Sequence, residues 1–379
     1  MTSRSEPPKA DLPERVSTLE LFFDLVFVFT ITQLTGILTS NTTFASAGRV
    51  LLIFGVLWWM YGGYAWLTNT RTPSQAPERL LLLLGMAGFL IIGLSIPDAF
   101  GGPAHRADAL ALGLGYLLVT VVHSCLYLRV NKNIWRILPF NITSPVLVII
   151  AALVAAPVAY VLWAAALAIQ VLGPVIVRLG GRFSIQPAHF VERHGALMIV
   201  AFGESVADIG IGAAKESVTA GLAICATLGL ALTASLWWAF FGTGDDDRAE
   251  VTLTSADPAA RPWLVLSAYF YAYIPMLLGV VATAAGLKHA LQHPATGLPA
   301  GPALALAGGV TLFLSGDEAF RHVLRIGTPR YRAAGAVIAL AAWPAAIALP
   351  ATAGIALLAA VVAGALAVER RARHATVEA

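Results

Sequence analysis

From Val16 to Leu38 the chain reads V-S-T-L-E-L-F-F-D-L-V-F-V-F-T-I-T-Q-L-T-G-I-L, long and apolar enough to cross a bilayer. Glu20 and Asp24 stand one helical turn apart within it, on the same helix face. A carboxylate at bilayer depth costs roughly 2.5–3.5 kcal/mol on an insertion scale, so it faces protein or water rather than lipid. The stretch therefore demands a fold in which a membrane helix turns an acidic face toward other helices.

Composition extends that demand to the whole chain. Of 379 residues, 58% are hydrophobic and only 12% charged, whereas soluble domains carry about 25% charged residues. With a mean hydropathy of +0.78, the expected fold class is all-α, a polytopic transmembrane helix bundle embedded in the lipid bilayer. The net charge of +3 does not point to a nucleic-acid partner, because the basic residues are scattered between apolar runs rather than clustered. Cys125 and Cys225 both lie in apolar runs, which argues against a disulfide and for two buried small hydrophobes. No G-x-x-x-x-G-K-[ST] motif is present, so ATP-driven transport is not expected within this chain; no cofactor is expected.

The apolar runs predict helices at about 19–40, 48–68, 80–97 and 108–128, then two helices between Ile137 and Val177 divided by Pro157. The second half offers helices from Glu192 to Ala213, then at about 218–242, 262–286 and 302–320. A final pair shares 333–368 and is broken by Pro344 and Pro350. Asp245-Asp246-Asp247 reads as a solvated loop. Twelve crossings put 20 of the 24 Lys and Arg on one side and 4 on the other. Positive charge marks the cytoplasmic side, so both termini are expected there, in a bacterial inner membrane.

The halves echo each other. Leu57-Trp58-Trp59 recurs as Leu236-Trp237-Trp238, Glu14-Arg15 as Glu192-Arg193, and Ala109-Leu-Ala-Leu as Ala303-Leu-Ala-Leu. The order is the same, and an even number of helices per half makes the repeats parallel. The expected organisation is a tail at 1–18, six-helix repeats at 19–182 and 183–368, and a charged tail at 369–379. The offset brings Glu204 near the equivalent of Asp24, and Asp208 repeats the one-turn spacing of Glu20 and Asp24.

These acids are the candidate binding residues for a small solute or ion. Asp24 has no cation within one turn of its own helix, so its partner must come from elsewhere. Glu204, followed by Ser205, sits about 16 Å beyond Arg193 along a helix. Glu20 and Asp208 lie closer to water, and His123 is a polar group within the fourth helix. Their plainer reading is structural hydrogen bonding between helices. His189, Glu192 and His194 form H-x-x-E-x-H, not the H-E-x-x-H of zinc peptidases, so neither a metal nor a catalytic set is expected. Arg193 reads as the partner of a carboxylate or a lipid phosphate. The Trp pairs, with Trp58 and Trp237 leading, read as interface anchors rather than cavity walls.

S-T-L-E-L-F-F-D-L-V-F-V-F, L-W-W-x-Y and E-R-H-G-A-L-M-I-V-A-F-G-E-S resemble motifs of the bacterial low-temperature-requirement A (LtrA) family, over essentially the whole chain. The resemblance implies a polytopic inner-membrane protein and makes Glu20, Asp24, Glu192, Arg193, Glu204 and Ser205 motif positions. The family name describes a growth phenotype, not a reaction. The leading expectation is a secondary transporter, coupled to protons or cations, whose acids meet between two halves. Its rivals are a sensor or assembly factor without transport and a lipid-acting enzyme built on 189–194.

Overall fold

Ser17 starts the first helix. Its hydroxyl accepts the Glu20 N–H at 3.3 Å, and the Glu20 carboxylate accepts the Ser17 N–H at 2.8 Å, a reciprocal capping box. The computed structural model describes residues 15–71, 73–177, 185–213, 217–327 and 330–377, and among these every regular element is helical. The first half comprises α1 Thr18–Ser40, α2 Phe44–Thr70, α3 Ala76–Ser95, α4 Arg106–Val130, α5 Leu138–Ala151 and α6 Ala156–Ile176. The second begins with α7 Pro187–Ala213, α8 Ala220–Phe241, α9 Asp245–Ser255, α10 Arg261–Val265 and α11 Tyr273–Gln292. It ends with α12 Ala300–Leu324, α13 Arg330–Ala341, α14 Trp343–Ala348 and α15 Ala351–Val377. The expected 1–18 tail falls outside the described residues up to position 14.

Among the described residues, eleven stretches are long and apolar enough to cross a membrane. The expected twelfth, α5, has only 14 residues, about 21 Å, against a hydrocarbon core of about 30 Å. Proline bounds α5 at its start and α6 at its start: Pro139 stands in the first turn of α5 and Pro157 in that of α6, so α5 does not begin earlier and α6 does not reach back toward it.

The two halves repeat one packing path. In the first, α1 packs on α3, α3 on α4, α4 on α5, α5 on α6 and α6 on α2; in the second, α7 packs on α11, α11 on α12, α12 on α13, α13 on α15 and α15 on α8. The α3–α4 and α11–α12 crossings share a physical basis. A Cβ on Gly115 would stand 3.2 Å from the Gly88 carbonyl, and one on Gly279 2.6 Å from the Gly309 carbonyl. Glycine lets both backbones approach this closely. The halves meet where α1 packs against α7 and α11.

Three expectations are corrected here. Asp245-Asp246-Asp247 is not a loop but the first turn of α9, where acids complement the helix dipole. Asp245 is buried and faces Arg321 at 3.5 Å. Residues from Glu369 onward are not a separate tail, since α15 runs on to Val377 and buries Glu369. Cys125 is exposed on the outer face of the bundle, while Cys225 is buried.

Candidate functional site

α1 and α7 enter the bundle from the same end, and each brings polar side chains to their shared seam about 9 Å in. Arg193, on α7, donates from Nη1 to Glu20 Oε1 at 3.0 Å and from Nη2 to Asp24 Oδ1 at 3.2 Å. The Arg193 guanidinium also bonds the Thr68 hydroxyl. Glu20, Asp24 and Arg193 are each at most 1% exposed. One arginine from the second half thus bridges two carboxylates of the first. Paired fork donors and acceptors make such contacts strong and directional.

A second ring of groups holds that bridge. The His189 imidazole lies 3.3 Å from Glu20 Oε1 and also contacts Asn69, whose amide donates to the Gln186 carbonyl at 2.8 Å. The Tyr61 hydroxyl donates to Asp24 Oδ1 at 2.9 Å. The guanidinium lies 5.8 Å from the Phe23 ring centre and 5.7 Å from that of Tyr61, at cation–π range. Asp24 Oδ2 has no hydrogen-bond partner among the described residues. Two carboxylates therefore share one guanidinium, Glu20 alone adds the imidazole, and one buried oxygen of Asp24 stays unmet.

The remaining sequence-selected residues lie elsewhere. Glu192 is exposed and accepts the Val16 N–H at 3.2 Å, fixing the approach to α1. Glu204 is half-buried, eleven residues beyond Arg193 and so roughly 16 Å along α7. It does not join Asp24; the expected meeting of Asp24 and Glu204 does not occur. Ser205 is buried. Asp208 is buried toward the far end of α7 and pairs with Lys288 of α11 at 3.6 Å. α7 thus carries a buried charged group near each of its ends. His189 and His194 do not converge either: His189 turns to Glu20, while His194 bonds the Phe190 carbonyl at 2.9 Å among aromatic rings.

The tryptophan pairs part company. Trp58 is buried, stacks on Tyr61 at 5.2 Å and donates to the Phe270 carbonyl of the other half at 3.0 Å. It packs the seam and is not the expected anchor. Trp237 and Trp238 are 39% and 56% exposed, as an anchor requires. The Phe270 carbonyl belongs to a π-helical turn, Leu266–Tyr271, where Ala272 N–H reaches back to Ser267. Pro275 in the first turn of α11 lacks the N–H that would continue the ladder.

A second charged cluster was not foreseen as a unit. Arg332 of α13 binds Asp317 of α12 and Glu369 of α15, the latter at 2.8 Å. Arg321 adds a 2.5 Å contact to Glu369. Gly327, at φ 76°, lies so near Arg321 that a Cβ there would overlap its guanidinium. The spacing of Asp317 and Arg321 in the sequence was a signal, but Arg332 and Glu369 resembled loop and tail charges. His123, at 2% exposure, lines a cavity between α2, α4, α5 and the π-helical turn.

Comparison with known proteins agrees with this architecture. Over 326 residues the chain is 28% identical to an uncharacterized protein of Rhizobium meliloti (strain 1021), covering 82% of this chain and 78% of that one. Residues 15–368 match the family described as Bacterial low temperature requirement A protein (LtrA). With that match spanning α1 to α15 and every motif of the seam, the chain belongs to the LtrA family of multi-pass membrane proteins.

Proposed function

We propose that this protein is a secondary transporter of the bacterial cytoplasmic membrane, with both termini cytoplasmic, in which the Arg193–Glu20–Asp24 bridge locks the end of the α1–α7 seam nearest the termini. The observation that carries this reading is the unmet Oδ2 of Asp24 beside a guanidinium shared by two acids. A proton or small cation arriving at Asp24 weakens its hold on Arg193, and the two halves then part at that end. The Asp208–Lys288 pair, at the far end of the same helix, joins α7 to α11 within the second half and so moves with it. Opening of the seam at one end as the halves rock is what alternating access requires. The transported solute is a small molecule or ion.

The test is a current recording from proteoliposomes on a solid-supported membrane, screened over ions, polyamines, amino acids and osmolytes. A solute-induced current is expected in the native protein and at most a tenth of it in Asp24→Asn. Silence across the whole screen, or an undiminished current in Asp24→Asn, overturns the reading. A second reading, a sensor or assembly factor without transport, draws on the complete burial of the bridge; it predicts that silence, together with normal folding of Asp24→Asn.

A further inference from the structure

A cavity of about 360 Å³ opens at the end of the bundle away from the termini, between the α3–α4 and α5–α6 connections, a size within the range of small-molecule sites. Its walls are aromatic: Phe100 stacks on Tyr160 with ring centres 5.3 Å apart and lies 5.4 Å from Trp163. Ala152 and Ala155, in the turn that follows the short α5, line it as well. All these residues belong to the first half, so the cavity stands apart from the α1–α7 seam.

The charge around it has one sign. Arg106 lines the cavity and is exposed. Arg49 stands behind the wall, donating from Nε to the Tyr160 hydroxyl at 2.8 Å with its guanidinium 5.7 Å from the Phe100 ring centre. By the charge count of the sequence only four of the 24 Lys and Arg fall at this end, and two of them meet here. No carboxylate pairs with either arginine among the described residues; the nearby acids Asp98 and Asp108 each contact His105 instead, at 3.5 Å. Trp163 is 4% exposed and lines the cavity, yet its indole N–H forms no hydrogen bond among the described residues. A buried indole N–H normally has a partner. α4 and α6 also begin at the cavity, and neither has a side chain accepting its first N–H groups: His105 makes no such bond and Ala155 has no acceptor to offer. The positive ends of two helix dipoles therefore add to the arginine charge.

We propose that this cavity binds a small organic anion, one carboxylate on an apolar body, held by Arg106, the two helix N-termini and the Trp163 N–H. One charge on the ligand suffices, because Tyr160 and Phe100 already engage the Arg49 guanidinium and leave Arg106 as the free partner. The remaining walls, alanine and aromatic rings, suit an apolar body. The inference does not depend on transport, because it concerns the occupancy of a cavity within one half.

The experiment uses the full chain in lipid nanodiscs, titrated with radiolabelled benzoate and, separately, with radiolabelled palmitate. Saturable binding of at least one above empty nanodiscs is expected, with affinity at least tenfold lower in Arg106→Gln and in Ala159→Phe, which fills the cavity. The uncharged counterpart, benzyl alcohol or hexadecanol, should compete at least tenfold more weakly than the acid it matches. Binding of benzoate identifies a soluble anion as the source, and binding of palmitate alone identifies the membrane; either supports the site. Binding of neither above empty nanodiscs overturns the proposal, as does unchanged affinity in a folded Arg106→Gln variant or equal competition by the uncharged counterpart. Monodispersity and thermal midpoint, recorded for both variants, separate lost binding from lost folding.

Discussion

Arg193 is the residue on which most depends. Burying a guanidinium beside two carboxylates is tolerable only because each desolvated charge finds a partner at about 3 Å. Removing the arginine strands two acids in an apolar interior, which costs about 3–5 kcal/mol for a broken buried pair. Arg193→Met should therefore lower the thermal midpoint in detergent more than any other single change in the cluster. Combining it with Glu20→Gln and Asp24→Asn should restore most of that loss, since neutral side chains need no counter-charge. A triple variant as unstable as the single one would show that Arg193 acts through packing on Phe23 and Tyr61 instead. Lysine is no substitute here, because its single ammonium cannot span both acids and the Thr68 hydroxyl.

At the scale of elements, glycine contacts set how closely α11 and α12 pack. Gly279 and Gly309 lie backbone to backbone, and a Cβ on Gly309 would stand 2.5 Å from the Thr283 nitrogen. Gly309→Leu should force the pair apart and abolish a monodisperse profile in fluorescence-detected size exclusion. Gly308→Leu, with open space beside it, should not. The equivalent Gly88–Gly115 contact predicts the same penalty in the first half. Helix positions of this kind were readable in the sequence, because apolar run length and proline position are local properties. The α6 boundary at Pro157 and the α15 start after Pro350 follow from them. The inward face of Asp24 was readable too, from period and hydropathy alone, whereas Glu20 and Asp208, expected closer to water, are both buried. The partners of charges were harder to place. Arg193, Arg321 and Arg332 sit at helix ends, where counting by loop assigns them to water, yet all three are buried in ion pairs. Trp58 was misplaced for a different reason: the pair was read as an interface anchor although Trp58 stands at the middle of α2, and only the fold supplies Phe270 to receive its N–H.

For the whole molecule, the two charged clusters differ in what they join. The Arg193 cluster ties one half to the other, whereas the Arg332 cluster closes entirely within the second half, among α12, α13 and α15. If the halves move relative to each other, only the first must open, and the second must hold throughout. That distinction is measurable. Truncation after Val368 removes Glu369 and leaves Arg321 and Arg332 facing each other with fewer acids, so it should prevent accumulation of folded protein. Truncation after Arg373 keeps Glu369 and its contact to Arg373, and should leave the fold intact. Glu369→Gln should behave as the longer truncation does, and it should do so identically with or without a proton gradient. Asp24→Asn should instead fold normally and lose its gradient-driven current, because the bond it weakens is one that the working protein already breaks. Equal destabilisation by both variants would mean that both clusters are fixed architecture, and the seam between the halves would then be as permanent as the core of either.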